Sequence, residues 1–315
     1  MFKKIKVIGL SLMLSFGAYG CAKEEVKEDD KPKITLVLSV GGVNDESFNQ
    51  GAWEGAKKAS QELGVEVSYL ESHSDADYIT NIETAIDQES DLVVGVGFQV
   101  GDAIKESAKA NPEQQFVTID STYEEGLDNV RNITFSEEQA GYLTGLIAGK
   151  MTKTNVIGWI GGLDIPSCSN FYRGYEKGAK EVNPDIKVMK QFTNSFTDAA
   201  KGKVVAQQMI KEDADIIFMA SGGGNSGSLE AVKEANIKAI GVDMPNNYLA
   251  PDHIITSALK NVGSGLSLTI KDFVDGSFTS GEVKYDLSNG GVGFEKTDLL
   301  SDEVIKFVEG KITSK

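Results

Sequence analysis

The chain is poor in the residues that most chemistry at a protein site depends on. It has two histidines, His73 and His253, and two cysteines, Cys21 and Cys168, in 315 residues. So few histidines leave a histidine-built metal centre or a Ser-His-Asp site without its central residue. Two cysteines are too few for a disulfide framework, and Cys168 reads as an ordinary small residue. Positive charge is also scarce: 31 Lys+Arg face 47 Asp+Glu, a formal net charge of −16. Nucleic-acid binding needs a positive footprint, so that class is excluded. Past the first twenty residues, nothing approaches the roughly 18–20 apolar residues of a membrane span.

What is present begins with an address. Residues 1–20 read as a bacterial secretory signal: Lys3, Lys4 and Lys6 form a basic n-region, and residues 7–16 (VIGLSLMLSF) form the apolar h-region. Ala18-Tyr19-Gly20 then leads into Cys21. A cysteine at that point resembles a lipobox, with Ala18 where leucine is usual. The resemblance implies diacylglycerol on the Cys21 sulfur, cleavage before it, and fatty N-acylation (palmitate). Residues 21–33 continue as a charged tether that lacks apolar anchors. Loss of the signal's three lysines takes the net charge from −16 to −19, which favours solubility and says little about fold. A soluble body tied to a membrane surface, lipid-anchored and extracytoplasmic, is expected.

From residue 33 onward strands and helices alternate. Short β-rich runs fall at 34–40 (ITLVLSV), 65–70, 92–97, 116–120 and 133–135, with helices expected at 47–63, 76–88 and 101–110. After a helix at 137–151 the cycle restarts, with strands at 156–160, 188–192, 216–220 and 239–243 and helices at 168–182, 199–211 and 227–235. Apolar strands alternating with amphipathic helices mean parallel sheets covered on both faces. Two such series, each of about four strands, exceed one domain of ~100–150 residues. The expected class is α/β, with two doubly wound parallel-sheet lobes. Three connecting strands, near 134–136, 257–260 and 285–287, are the expected hinge. Residues 34–135 with about 261–284 make the first lobe, and 136–257 with about 286–315 make the second.

Ligands of such sheets sit beyond the carboxyl ends of the strands. Those ends carry Asn44, Asp45, Ser47, Phe48 and Asn49 after the first strand, then Asp120, Gly161-Gly162, Ser195-Phe196-Thr197-Asp198, Ser221 to Asn225, and Asp243. The set is carboxylates, amides, aromatics and glycines, with no histidine or arginine. It suits a neutral, flat ligand rich in hydroxyl and amide groups: carboxylates accept paired hydrogen bonds, aromatics stack, and glycines let backbone approach. A phosphate finds no basic clamp there, and Gly222 to Gly224 lacks the Lys-Ser/Thr ending of a P-loop. Plainer roles stay open for each residue. Asp45 and Ser47 can cap the following helix, Asp120 and Asp243 can cap βα turns, Phe48, Phe196 and Trp53 can be core, and Lys260 can be a solvated lysine.

The run Gly41-Gly42-Val43-Asn44-Asp45-Glu46-Ser47-Phe48-Asn49-Gln50-Gly51-Ala52-Trp53-Glu54-Gly55 resembles the opening motif of the basic membrane protein family. These are lipoproteins of the purine nucleoside receptor type, which bind substrate for nucleoside ABC importers. The resemblance continues through 116–120 (FVTID), 135–145 (FSEEQAGYLTG), 161–162 (GG), 171–178 (FYRGYEKG), 195–202 (SFTDAAKG), 241–243 (GVD) and 290–292 (GGV), and covers about residues 34–315. It implies a type I periplasmic-binding-protein fold and a monomer that takes a nucleoside, a purine nucleoside above others, and delivers it to an ABC permease. It implies no enzyme activity, cofactor or metal. It also implies a base stacked between an aromatic from each lobe, Trp53 with Phe48 nearby and Phe196 opposite, a place that Phe171 or Phe218 could also fill. Base-edge hydrogen bonds then fall to Asn44, Asp45, Asn49 and Asp120. Ribose contacts fall to Asp243 and Lys260, with backbone help near Gly223.

Two other classes stand against this: a binding protein for another small ligand such as a sugar or signalling molecule, and a nucleoside hydrolase. Sugar binders of the fold usually present an arginine at the cleft, and the nearby arginine here is Arg173. A nucleoside hydrolase needs clustered aspartates on a metal or an activated nucleophile, whereas these carboxylates are spread over separate strand ends. A repressor of similar fold needs an N-terminal helix-turn-helix, where this chain has a signal and tether. For the anchor, Cys21→Ser is expected to move the protein from the membrane to the soluble fraction. Detergent-phase partitioning checks this, and an unchanged distribution rules out acylation at Cys21.

Overall fold

The computed structural model describes residues 31–313. The signal, Cys21 and nearly all of the tether lie outside the described residues. The first half of the chain runs β1 (Lys33–Leu38), α1 (Phe48–Leu63), β2 (Glu66–Leu70), α2 (Asp77–Asp87), β3 (Leu92–Val96), α3 (Gly101–Ala110), β4 (Gln115–Ile119), β5 (Val130–Phe135) and α4 (Glu137–Met151). It continues β6 (Val156–Gly161), α5 (Pro166–Val182), β7 (Lys187–Phe192), α6 (Ala199–Lys211), β8 (Ile216–Ala220), α7 (Asn225–Ala235), β9 (Lys238–Asp243) and β10 (Ile254–Lys260). The last elements are α8 (Val262–Val274), β11 (Gly281–Tyr285), β12 (Val292–Phe294) and α9 (Asp302–Thr313).

Two six-stranded sheets result, ordered β11-β5-β4-β3-β1-β2 and β12-β10-β9-β8-β6-β7. Every pair in the first sheet is parallel; in the second, only β10 with β12 is antiparallel. The order reverses at β1 in one sheet and at β6 in the other, so the two halves repeat one doubly wound plan. This is the α/β class that the alternating pattern predicts. Each sheet has six strands rather than about four: β5 and β10, expected to connect the lobes, pair within the sheets, and β11 (GEVKY) and β12 (VGF) add short edge strands, partly exposed and without an apolar run. The central strands β3 and β8 are buried along their whole length, as the continuous apolar runs require.

The chain passes between the sheets three times: from β5 into α4, from β10 into α8, and from β11 to β12. Helix α8 packs on α1, whereas α4 packs on α5, β10 and β12. Glycine makes two of these helix pairs unusually close. A β-carbon on Gly145 of α4 would stand 2.2 Å from the Tyr175 carbonyl oxygen, and one on Gly178 of α5 would stand 2.1 Å from that of Tyr142. Likewise Gly55 of α1 lies against the backbone of Gly263 in α8, 2.2 Å from a built β-carbon. Glycine inside a helix costs about 1 kcal/mol relative to alanine, and here the close approach of two backbones takes up that cost. Helix α4 is thereby buried on all sides from Ala140 to Ala148.

Gly145→Ala is expected to lower stability by ~1–3 kcal/mol through overpacking, despite alanine's better helix propensity. Gly51→Ala in α1, where an added β-carbon meets nothing within 4 Å, is expected to be neutral or stabilising by up to about 1 kcal/mol. Thermal melts of residues 22–315 compare the two. A Gly145→Ala protein as stable as the parent would mean the helices can separate without loss.

Candidate ligand-binding site

The ends of β1, β3, β4, β6, β8, β9 and β10 converge on one cavity. Its lining includes Asp45, Phe48, Asn49, Asp120, Phe196, Asp243 and Lys260, seven of the expected site residues. The order reversals explain the placement, since adjacent strands whose connections leave in opposite directions open a crevice at their carboxyl ends. Asn44 and Gly223 line a neighbouring recess together with Asp45 and Gly222. Trp53 does not line the cavity. Its ring packs edge-on against Tyr69, centroids 4.9 Å apart, beneath the Lys57 ammonium. The packing role left open for Trp53 is the one the geometry gives it, and Phe48, at the very start of α1, is the aromatic of that helix facing the cavity.

Asp120 and Asp243 occupy equivalent places. One directly follows β4 and the other ends β9, the corresponding strands of the two sheets, and both have left-handed backbone, φ 67° and 65°. Aspartate tolerates that region better than most residues, yet such positions persist where the surroundings fix them and concentrate at functional sites. Asp243 accepts from Ser47 Oγ at 2.5 Å, and Asn246 Nδ2 donates to the Glu46 carbonyl at 3.1 Å. The first-sheet loop after β1 is thus tied to the end of β9. Asp45 accepts from the backbone N–H groups of Ser47 (3.0 Å), Asn49 (2.9 Å) and Gln50 (3.1 Å). It therefore caps the first turn of α1 while also facing the cavity. Asn49 exchanges hydrogen bonds with Ser39, accepting from its hydroxyl and donating to its carbonyl.

Lys260 ends β10 with its side chain 2% exposed. Its ammonium donates to Asp120 Oδ2 at 2.5 Å and lies 3.0 Å from Glu137 Oε1. The rings of Phe48 and Phe135 lie 5.1 and 5.3 Å away. It is no solvated lysine. Burial alone would lower its basicity, but Asp120, Glu137 and Asp243 together hold it above the ordinary lysine range. Burial is also the main force on the carboxyls. It pushes Asp120 up to about 6, with Lys260 pulling back and Glu137 adding to the rise. It pushes Asp243 up to about 6 against Lys260 and Ser47, and it raises Asp45 despite the three backbone donors. Asp120 Oδ1 is buried without a hydrogen-bond partner, an acceptor aimed at a donor the protein does not supply.

The opposite wall is apolar. Ile165, Cys168, Phe171 and Phe196 line it. The Phe196 ring lies so close over Gly162 that a β-carbon there would sit 2.2 Å from it, which is why this position is glycine. Burial pushes the Cys168 thiol up to about 12, so it stays neutral. Several lining positions were missed in the sequence, among them Ser39, Phe98, Gln99, Ile165, Ser167 and Cys168. Phe98 and Gln99 follow β3, where the strand-end rule, applied once more, finds them. Glu137 was also missed, because it opens a helix rather than ending a strand. Among the described residues, no cluster of three or more His, Cys, Asp or Glu is arranged to hold a metal ion. The arrangement can clamp a flat polar molecule between two aromatics and two carboxylates.

The chain resembles known proteins along most of its length. It is 37% identical over 310 residues to the ABC transporter nucleoside-binding protein BmpA of Lactococcus lactis, an alignment covering 89% of this chain and 88% of that one. It is 35% identical over 311 residues to basic membrane protein A of Borreliella burgdorferi, covering 96% and 91%. A crystal structure of an ABC transporter solute-binding protein from Aeropyrum pernix superposes with a TM-score of 0.80 at 30% identity, covering 90% of this chain and 86% of that one. The family described as "ABC transporter substrate-binding protein PnrA-like" matches residues 32–315. The chain belongs to this family of ABC transporter substrate-binding proteins.

Proposed function

We propose that the protein captures nucleosides, purine nucleosides above others, in the cavity between its sheets and hands them to an ABC permease. It does so as a monomer held at the outer face of the cell membrane by the lipid on Cys21. The observation that carries this is the matched pair Asp120 and Asp243, both half-buried, both left-handed and both facing one cavity flanked by Phe48 and Phe196. A nucleoside presents hydroxyl or N–H donors at both ends of a flat ring system, and the pair offers a carboxylate to each end. The relative named as nucleoside-binding supports the same class. In this reading Asp120, with Asn49 and Asp45, takes the base edge and Asp243 takes the ribose, while Lys260, expected at the ribose, sits against Asp120 at the base end. Asn44 and Gly223 close the neighbouring recess. Phe196 stacks on the base, and Phe48 fills the place opposite that Trp53 leaves.

Capture then follows from closing one lobe (34–135 with about 261–284) on the other (136–257 with about 286–315). A permease distinguishes the closed state from the open one, and ligand shifts the population between them. A nucleoside phosphate fits poorly, because the single cation in the cavity is already taken by carboxylates.

The ribose assignment has a direct test. A hydrogen bond to a charged acceptor contributes about 1.5–3 kcal/mol, so 2′-deoxynucleosides should bind more weakly than ribonucleosides. Asp243→Ala is expected to cost about 2 kcal/mol for the ribonucleoside and to flatten the ribo/deoxy difference. Calorimetric titration of both ligands checks it; a wild-type ratio in the variant moves the ribose elsewhere.

Protonation gives a second test. Burial raises both carboxyls above the unfolded aspartate value, Asp243 to about 6. Their ionisation therefore costs stability as pH rises through 6, and ligand donors offset that cost only for the ionised form. Affinity should fall up to about tenfold per proton taken up per pH unit below 6. Titrations at about pH 7.5 and about pH 5, in buffers of different ionisation enthalpy, should show proton release on binding at the lower pH. Equal affinities with no proton exchange would remove both carboxylates from the contact.

A further inference from the structure

Glu137 lies outside the cavity, yet it is 3% exposed and touches the one buried cation there. It is the first residue of α4, where a carboxylate also meets the positive end of the helix dipole. Its Oε1 lies 3.0 Å from Lys260 Nζ, and its Oε2 accepts from Asn170 Nδ2 of α5 at 3.0 Å. Because α4 and α5 are locked backbone to backbone at Gly141, Gly145, Gly174 and Gly178, this carboxylate is held by the second sheet's helices. Lys260 is thus shared between two carboxylates from opposite sides of the cleft. Asp120 belongs to the first sheet, and Glu137 packs with the second.

We propose that Glu137 is a positioning residue for ligand capture: it holds the Lys260 ammonium on one oxygen of Asp120 and so leaves the other, Oδ1, open to a base N–H. The inference rests on the nucleoside reading of the cavity. An ammonium has three donors and no other strong preference. With Asp120 as its sole close carboxylate, it would settle between both oxygens and quench the acceptor that the ligand needs. With Glu137 on its far side, it meets Oδ2 alone, and Oδ1 stays buried without a donor. Glu137 also keeps Lys260 partnered when the lobes separate, so opening does not strand a buried charge.

The test compares inosine with its N1-methyl derivative, which lacks the N1–H donor. In the wild type, inosine should bind tighter by about tenfold or more. Glu137→Gln keeps shape and an acceptor for Lys260 but removes the charge, and should shrink that ratio to about threefold or less while changing the N1-methyl affinity little. Asn170→Ala, which frees Glu137 without touching the ion pair, should move the ratio the same way by less, and it serves if Glu137→Gln folds poorly. A purely structural role would weaken both ligands alike, and an unchanged ratio in the two variants overturns the inference. A ligand-free measurement separates this from the nucleoside reading. The Lys260 ammonium signal in isotope-edited NMR, identified by its loss in Lys260→Met, should shift and exchange faster in Glu137→Gln. If that signal does not move, Glu137 does not hold Lys260. If it moves but the wild type binds no nucleoside, the ligand class is wrong and the open Oδ1 serves another donor.

Discussion

Taking a lysine ammonium out of water costs several kcal/mol unless carboxylates meet it with good geometry. Lys260 is met by Asp120 at 2.5 Å and Glu137 at 3.0 Å. Much of the site follows from that requirement. It brings the end of β4 against the end of β10, fixes where α4 must begin, and sets the charge against which Asp243 and Asp45 titrate. The cavity remains negative on balance, since one cation faces several carboxylates. The field inside therefore favours hydrogen-bond donors and rejects anions, whatever the ligand's detailed shape.

The fold was legible because its strongest elements announce themselves. LVVGV and IIFMA are fully buried β-runs, and the helices beginning near Phe48, Gly101 and Ala199 carry apolar faces that survive tertiary packing. Strands β11 and β12 escaped because an edge strand with one partner needs no apolar alternation to pair. The strand-end rule located Asp45, Asp120, Phe196 and Asp243 because a parallel sheet offers one kind of opening, and the sequence shows where each strand stops. Trp53 and Phe48 could not be told apart at that level. Both lie within the first two turns of α1, and only the arrival of Tyr69 from the edge strand β2 claims one of them for packing. Glu137 falls within the run 135–145 but had no role assigned there, since its contact with Lys260 depends on where β10 ends, more than a hundred residues away.

Glycine does in the helices what the ion pairs do in the cavity. Its scattering through α4 and α5 looks in sequence like weak helix propensity, whereas in space each glycine is where another backbone must pass. The result is a helix pair with little freedom to slide, packed beneath the strand ends of the second sheet. Side chains mounted on it, Glu137 and Asn170 among them, inherit that rigidity, and such a support suits a site whose polar geometry has to be preformed.

The repeated sheet order has a further effect. Because the two halves follow one plan and present Asp120 and Asp243 at matching strand ends, the cavity has a hidden near-twofold symmetry. A clamp of that kind accepts an elongated guest head-first or tail-first with similar ease. Lys260 has no counterpart in the lining, and it sits against Asp120 rather than Asp243. One lysine without a twin in the other half thus turns an ambidextrous grip into one with a defined direction.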